Sequence, residues 1–354
     1  MEKEPELALF RAPENPIVRP KEVPPSREDF QVVGTFNAGV ARLGNEIILL
    51  LRVAERPQTH DQNIVLSPIY DADAGQIAIK PFARSDPEND FSDPRLIVRP
   101  HETYLTSISH LRVARSRDGV HFEMAPQPAL EPANAYETFG LEDPRISCID
   151  GTYYITYVGV SSLGVTTCLA STRDFVSFTR HGVIFAPENK DVAIFPGNIN
   201  GVYYALHRPH SPLFGLNDMW IAESPDVRCW GHHRHLMGLR DRMWDETRIG
   251  AGAPPVRIDE GWLEIYHGAN RDNHYCLGAV LLDPKQPWRI IARSERPVFE
   301  PGADYERAGF FGNVVFTCGL LLEDARLKIY YGAADTVLCY AELPLAEVMD
   351  TLNA

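Results

Sequence analysis

The residues able to do chemistry in this chain fall into a few short segments. Gly140-Leu141-Glu142-Asp143-Pro144-Arg145 sets two acids beside a proline and an arginine. Pro144 disfavours the helical region at Asp143, so Asp143 is expected to be held extended. A carboxyl fixed at the start of a strand in a half-buried pocket is suited to general-acid work. Taken alone, the hexapeptide reads more simply as a solvated acidic turn with Arg145 in a routine ion pair. Two further segments gather cations. Lys190 precedes the run IFPGNINGVYYALHRPH, which contains Arg208, and Arg248 opens RIGAGAPP, ahead of the run GWLEIYHGAN, which contains His267. In each, one basic group stands at the start of a strand pair and a second at its end. Gly250 and Gly252 are expected to let a ligand approach the backbone closely, although a sharp turn between structural units needs glycine equally. The cluster His232, His233 and His235 suggests a metal, but neighbouring histidines on a strand point in opposite directions and no carboxylate pattern completes a site. No metal is expected, and no nucleophile elbow, phosphate loop or dinucleotide fingerprint occurs.

These groups need elements to hold them. Helical periodicity is confined to Pro284 to Trp288, at most one turn, and Leu345 to Leu352, so the chain reads as all-β. A turn followed by an aromatic or aliphatic run occurs five times: GNEIILLLRV from Gly44, GTYYITYVGV from Gly151, GVYYALHRPH from Gly201, GWLEIYHGAN from Gly261 and ARLKIYYGAAD from Ala325. A second strand follows at Arg112, Cys168, Trp220 and Leu277, with SPIYDADAGQIAI from Ser67 as a degenerate fifth. Units of about 50 to 60 residues with several strands each are what a propeller blade needs, and five fill this length. The expectation is a single five-bladed β-propeller over residues 1–354, with a long β-sandwich as the alternative. The Asp- and Pro-rich stretch from Arg84 to Thr106 reads as an inserted loop. In a propeller, equivalent positions converge on the axis. The phased positions are Arg52, Tyr157, Arg208 and His267, and the fifth run ends at Asp335.

Composition narrows the function. A hydrophobic fraction of 44% with 23% charged residues suits a globular body with a large core. The longest aliphatic run, Ile47 to Leu51, stops at Arg52, far short of the roughly 20 apolar residues of a membrane helix. Acids occupy the N-terminal positions where a secretory signal is basic, so a cytoplasmic protein is expected. Cys148, Cys168, Cys229, Cys276, Cys318 and Cys339 stand singly, as reduced thiols do. The net charge of −14 opposes nucleic acid and anionic membranes. Any anion must therefore be held by a local basic pocket. Self-association is not legible.

Together the blocks FNAGVARLGNEIILLLRVAER, GLEDPRIS, FPGNINGVYYALHRPH, GAGAPPVRIDEGWLEIYHGAN, FFGNVVFTCG and IYYGAADTVLCYAE make the chain resemble the β-mannoside phosphorylases of glycoside hydrolase family 130 over nearly its whole length. The resemblance implies a five-bladed propeller with a central pocket. It implies Asp143 as catalytic acid, protonating the glycosidic oxygen through a hydroxyl of the −1 mannose. It implies Arg208, Arg248 and His267 as the phosphate cradle with Lys190 as a further cation, mannose contacts at Asn37, Arg52 and Asp335, and no cofactor beyond phosphate as co-substrate. Two positions depart from the family pattern: Arg248 stands where many relatives have Lys, and Ala38 where some have Ser. The wording of NPIVRPKEVPPS and LLLRVAERP is closest to β-1,2-mannoside members.

The family also contains hydrolases. An inverting hydrolase needs a second carboxylate about 6.5 to 9.5 Å from the acid to activate water, whereas phosphate is already an anionic nucleophile and needs only cations to hold it. The phased positions carry cations, which favours phosphorolysis; Asp245 or Glu246 would be the base of a hydrolase. A non-catalytic sugar-binding propeller would have no reason to gather cations around one acid.

Overall fold

The computed structural model describes residues 7–211 and 213–353. The acidic residues 1–6, part of the basis for expecting a cytoplasmic protein, lie outside them. The chain is an all-β, five-bladed propeller of antiparallel sheets. From the axis outward, the first blade is Phe30–Leu43, Glu46–Pro57, Ile108–Ser116 and Glu123–Met124. The second is Leu141–Ile149, Thr152–Ser161, Gly164–Thr172 and Thr179–Phe185, and the third Asn189–Ile194, Tyr203–Pro209, Met219–Ser224 and Gly231–Met237. The fourth is Arg248–Gly250, Trp262–Ala269, Tyr275–Leu282 and Ile290–Arg293, with Val256–Arg257 also on Trp262–Ala269. The fifth takes Val315–Glu323, Arg326–Ala333 and Val337–Pro344 from one end of the chain and Phe10–Arg11 from the other.

The repeated aliphatic runs are the second strands, and their composition follows from where they sit. A blade is covered on both faces by its neighbours, so a strand in its middle is apolar at every position. In the first blade Ile48 and Leu50 pack with Ile146, Ile155 and Tyr157 of the second. Ile47, Leu49 and Leu51 point the other way, onto Tyr330, Leu338 and Tyr340 of the fifth. The same division gives an apolar cluster at each of the other blade junctions.

The segment from Ser67 does not supply a blade strand. It lies in a hairpin, Ile64–Asp71 with Gln76–Ala83, that belongs to no blade sheet and packs on Phe139 and on Val160 of the second blade, with much of its second strand in solvent. Its alternating pattern around a tight turn is sufficient for a hairpin, without the two-sided burial of a blade strand. The fifth repeat finds its next strand in Val337–Pro344 instead. The insertion is also longer than Arg84 to Thr106: the chain leaves the first blade after Pro57, returns at Ile108, and pairs Leu96–Val98 with Thr103–Leu105 on the way. Pro284 to Trp288 is a turn and not helix, while Leu345–Asp350 is helical as expected. Among the described residues no helix is long and apolar enough to cross a membrane.

The ring closes where Phe10–Arg11 joins the fifth blade. The wholly buried Glu306 carboxylate accepts from the Arg11 guanidinium at 2.8 and 3.0 Å, from the Tyr331 hydroxyl at 2.7 Å, and from the backbone N–H groups of Gly302 and Ala303. Removing it would leave several buried donors unmatched at the seam. Glu306→Ala is therefore expected to lower the unfolding free energy by about 3 kcal/mol, read as a lower urea midpoint with an unchanged slope.

Candidate active site

The innermost strands of the first three blades carry the same irregularity. Opposite Leu51, Tyr157 and His207, each has one residue too many: Asn37-Ala38, Asp143-Pro144 and Asp191-Val192 are bulges in the registers Phe36–Arg52 to Gly39–Leu50, Glu142–Val158 to Arg145–Thr156, and Lys190–Arg208 to Ala193–Leu206. The first residue of each bulge is left-handed, with φ of 51° at Asn37, 50° at Asp143 and 55° at Asp191. Asn and Asp tolerate that conformation better than other side chains with a Cβ. Asp143 is thus left-handed, contrary to the extended conformation expected from the proline after it; Pro144 disfavours only the right-handed helical region, and the bulge selects the left-handed one. The three side chains turn into a cavity of about 480 Å³ lined from all five blades.

All eight residues singled out in the sequence line this cavity: Asn37, Arg52, Asp143, Lys190, Arg208, Arg248, His267 and Asp335. Tyr157, the phased position of the second blade, does not. Its ring is buried and its hydroxyl donates to Glu137 at 2.9 Å. The residue in register with Arg52 and Arg208 is Val158, because the turns before these repeats are equally long, Gly44-Asn45, Asp150-Gly151 and Asn200-Gly201, but carry glycine at different positions, so a count from glycine falls one residue short at Tyr157.

One pole of the cavity is acidic. The Asp143 carboxylate accepts from Asn37 Nδ2 and from Arg52 Nη1, both at 2.9 Å and both on Oδ1. Oδ2 makes no hydrogen bond with a described residue. Arg52 also pairs with Glu142 at 2.6 Å and stacks on the Phe36 ring at 4.7 Å, which fixes its plane. Asp335, with φ of 47°, makes no hydrogen bond or ion pair with any described residue. Burial, joined by repulsion from Asp143 and opposed by Arg52 and Arg95, pushes its pKa up to about 6.

The other pole is basic, and its organiser is a residue the sequence reading passed over. Asp191 is 1% exposed and takes Arg208 Nε and Nη2 at 2.7 Å and Arg145 Nη2 at 3.2 Å, with His267 Nε2 at 3.5 Å. Burial disfavours its charge, but Arg208, His267, Arg145 and Lys190 outweigh that and hold its pKa below the usual carboxylate range. The signal was available: Lys190-Asp191 is in phase with Glu142-Asp143. Arg145 is no surface ion-pair partner. It is 2% exposed and also donates to the carbonyls of Gly252 at 2.6 Å and Ala251 at 2.8 Å, tying the second blade to the third and fourth. The glycines serve this packing, and neither Gly250 nor Gly252 lines the cavity. A Cβ at Gly250 would lie 2.4 Å from the Asp191 carboxylate, and one at Gly252 would collide with the Ile265 carbonyl.

His267 is not a cation here. Burial, with Arg208 and Arg145 nearby, lowers its pKa to about 3 despite Asp191, so the ring is neutral near pH 7. Its buried Nδ1 finds no hydrogen-bond partner among the described residues. The charges of this pole are Lys190, Arg208 and Arg248. Among the described residues neither Lys190 nor Arg248 has a carboxylate within ion-pair distance, and Arg248 Nη1 donates instead to the Tyr275 hydroxyl at 2.7 Å. Asp245 and Glu246 are absent from the lining. Asp245 is wholly buried between Arg240 at 2.7 Å and Arg293 at 2.5 Å, and Glu246 pairs with Arg271 at 3.2 Å. His235 pairs with Asp218, and His233, exposed on the outermost strand of the third blade, hydrogen-bonds the buried His207. The insertion reaches the mouth of the cavity: Arg95, held by Asp93 at 2.7 Å, stacks over Phe311 at 4.9 Å.

An acid backed by an amide and an arginine, facing two cations, Lys190 and Arg248, that have no counter-ion among the described residues, can receive a neutral polar ligand beside an anion. Residues 93–354 match the family model for glycoside hydrolase family 130, described as β-1,4-mannooligosaccharide phosphorylase, and the chain belongs to that family. It is 47% identical over 351 residues to the β-1,2-mannobiose phosphorylase of Listeria innocua, covering 98% of this chain and 99% of the relative. It is 39% identical over 254 residues to the 1,2-β-oligomannan phosphorylase of a Thermoanaerobacter species, covering 71% and 84%. The solved Listeria innocua β-1,2-mannobiose phosphorylase in complex with β-1,2-mannobiose superposes with a TM-score of 0.95 at 46% identity, covering 98% and 99% of the two chains.

The raised pKa of Asp335 has a thermodynamic consequence. A carboxyl that holds its proton more tightly folded than unfolded stabilises the fold at low pH, and that contribution is lost as pH rises from about 4 through about 6. Between pH 5 and pH 7 the native protein is expected to lose about 1 kcal/mol from this group. Asp335→Asn should flatten that part of the profile, as measured by chemical denaturation at the two pH values.

Proposed function

We propose that the protein is an inverting β-mannoside phosphorylase that cleaves a β-mannobiose or β-mannooligosaccharide, β-1,2-linked by preference, with inorganic phosphate to give α-mannose 1-phosphate. The observation that carries this reading is the pair of cations without counter-ions among the described residues, Lys190 and Arg248, beside Arg208 in the cavity that Asp143 faces. In a chain of net charge −14, unneutralised cations in one cavity call for an anionic ligand. The two β-1,2-acting relatives support the linkage preference.

The mannose of the −1 subsite contacts Asn37, Arg52 and Asp335. Asp143 gives up its proton, through a hydroxyl of that mannose, to the glycosidic oxygen. As the bond from C1 to that oxygen breaks, a phosphate oxygen held by Lys190, Arg208 and Arg248 attacks C1 from the opposite face, so the β-linkage becomes an α-phosphate. Neutral His267 serves as a hydrogen-bonding partner of the phosphate and contributes no charge. Phosphate is the co-substrate, and the step uses no cofactor or metal. The whole propeller acts as the catalytic unit, and free, mostly buried thiols suit a cytoplasmic location.

Asp143→Asn keeps the shape and cannot release a proton, so it should cut turnover by about 10²- to 10⁴-fold in both directions while the thermal midpoint stays near that of the native protein. Near-native rates in folded Asp143→Asn would remove Asp143 from the mechanism. The cradle is tested separately. Arg208→Ala should weaken phosphate and α-mannose 1-phosphate by about tenfold to a hundredfold, with mannobiose binding in the absence of phosphate changed little. Cleavage of β-mannobiose by the native protein at equal rates with and without phosphate, releasing free mannose, would identify a hydrolase instead. Its base would then be one of the carboxylates that line the cavity.

A further inference from the structure

We propose that His274, Cys276 and Glu300 form a site for a thiophilic divalent cation of the zinc type beside the third strand of the fourth blade, separate from the catalytic cavity. One ligand atom of each of the three residues lies within 4.8 Å of the other two, and His274 Nε2 stands 3.9 Å from Glu300 Oε2. Tetrahedral zinc with bonds of about 2.0 to 2.3 Å to nitrogen, sulfur and oxygen sets its ligand atoms about 3.3 to 3.8 Å apart. A shift of about 1 Å at two flexible side chains closes that difference.

The arrangement follows from local structure. Side chains two positions apart in extended chain share a face, so His274 and Cys276 stand together on one side of the third strand of the fourth blade. Tyr275 between them points the other way, into the cavity, where it holds Arg248. Glu300 arrives from the segment whose Phe299 bridges to Leu277. Imidazole, thiolate and carboxylate are a set that zinc accepts, and three protein ligands leave a fourth position for water. Cys276 is 1% exposed, while the His274 side chain is about one third exposed and that of Glu300 more so, which opens the site to solvent from the carboxylate side. Burial and the neighbouring Glu300 raise the thiol pKa. A divalent cation reverses that preference: the Cys276 proton leaves to solvent as the metal–sulfur bond forms. None of the three residues lines the catalytic cavity, so chelation is expected to leave phosphorolysis unchanged.

The test is titration of the reduced, metal-free protein with Co²⁺, which reports thiolate ligation through a sulfur-to-cobalt charge-transfer band. The expected result is a band that saturates near one equivalent, is displaced by Zn²⁺, disappears in Cys276→Ser and persists in Cys148→Ser and Cys229→Ser, the exposed thiols. His274→Ala, a change at a partly exposed position that does not threaten folding, should weaken the metal by about tenfold or more. No band in the native protein, an undiminished band in Cys276→Ser, or unchanged affinity in His274→Ala would each overturn the assignment.

Discussion

The buried carboxylate of Asp191 is the interaction on which the site depends. It meets Arg145 from the second blade, Arg208 from the third and His267 from the fourth, all within 3.5 Å and all nearly or wholly out of water. A carboxylate in such a place is costly unless fully paired, and losing one partner of a buried pair costs about 3 to 5 kcal/mol. The arrangement is therefore tolerated only in one geometry, and that geometry sets the direction of Arg208 and the ring of His267. Arg145 carries the constraint further, since its other donors hold the Ala251 and Gly252 carbonyls. Gly250 completes it by leaving no Cβ where the Asp191 carboxylate sits.

A repeated backbone device supplies different chemistry in each blade. The left-handed bulge residue is Asn37 in the first, Asp143 in the second and Asp191 in the third. Each side chain turns to the axis for the same steric reason, but the first is an amide that donates to the second, and the third is a counter-ion for arginines. Near-symmetric repeats thus build an asymmetric pocket. Its two poles carry opposite charge within one cavity, and its basic pole persists in a chain whose overall field is negative. The pocket is also less cationic than a count of basic side chains suggests, because burial keeps His267 neutral.

Much of this was legible from the sequence, and the reasons are physical. Five apolar runs in phase could be read because a strand covered on both faces by neighbouring blades must be apolar throughout, and that requirement is local. The cavity residues could be found by phase, because equivalent positions of a propeller converge on its axis. Asp143, Arg52, Arg208, Arg248 and Asp335 share one cavity for that reason. The phase failed by one residue at Tyr157, because glycine is the second residue of that turn and the first of the one before Arg52, and a shift of one position sends the side chain to the other face of the strand.

Other properties were decided by tertiary structure. Whether Asp143 is extended or left-handed depends on what its strand pairs with, and a following proline excludes only one of the possibilities. Whether His267 is charged depends on burial and on arginines from two other blades. Asp191 and Arg145 look like surface residues in sequence and become interior ones only when three blades meet. Asp245 and Glu246 stand beside Arg248 in the chain yet face away from the cavity, toward Arg240, Arg293 and Arg271. The sequence by itself determined the strands, their number and the residue types brought to the axis, because those follow from side-chain periodicity and backbone preference. Protonation, pairing and orientation were decided by the assembled blades, because they depend on distances between groups far apart along the chain.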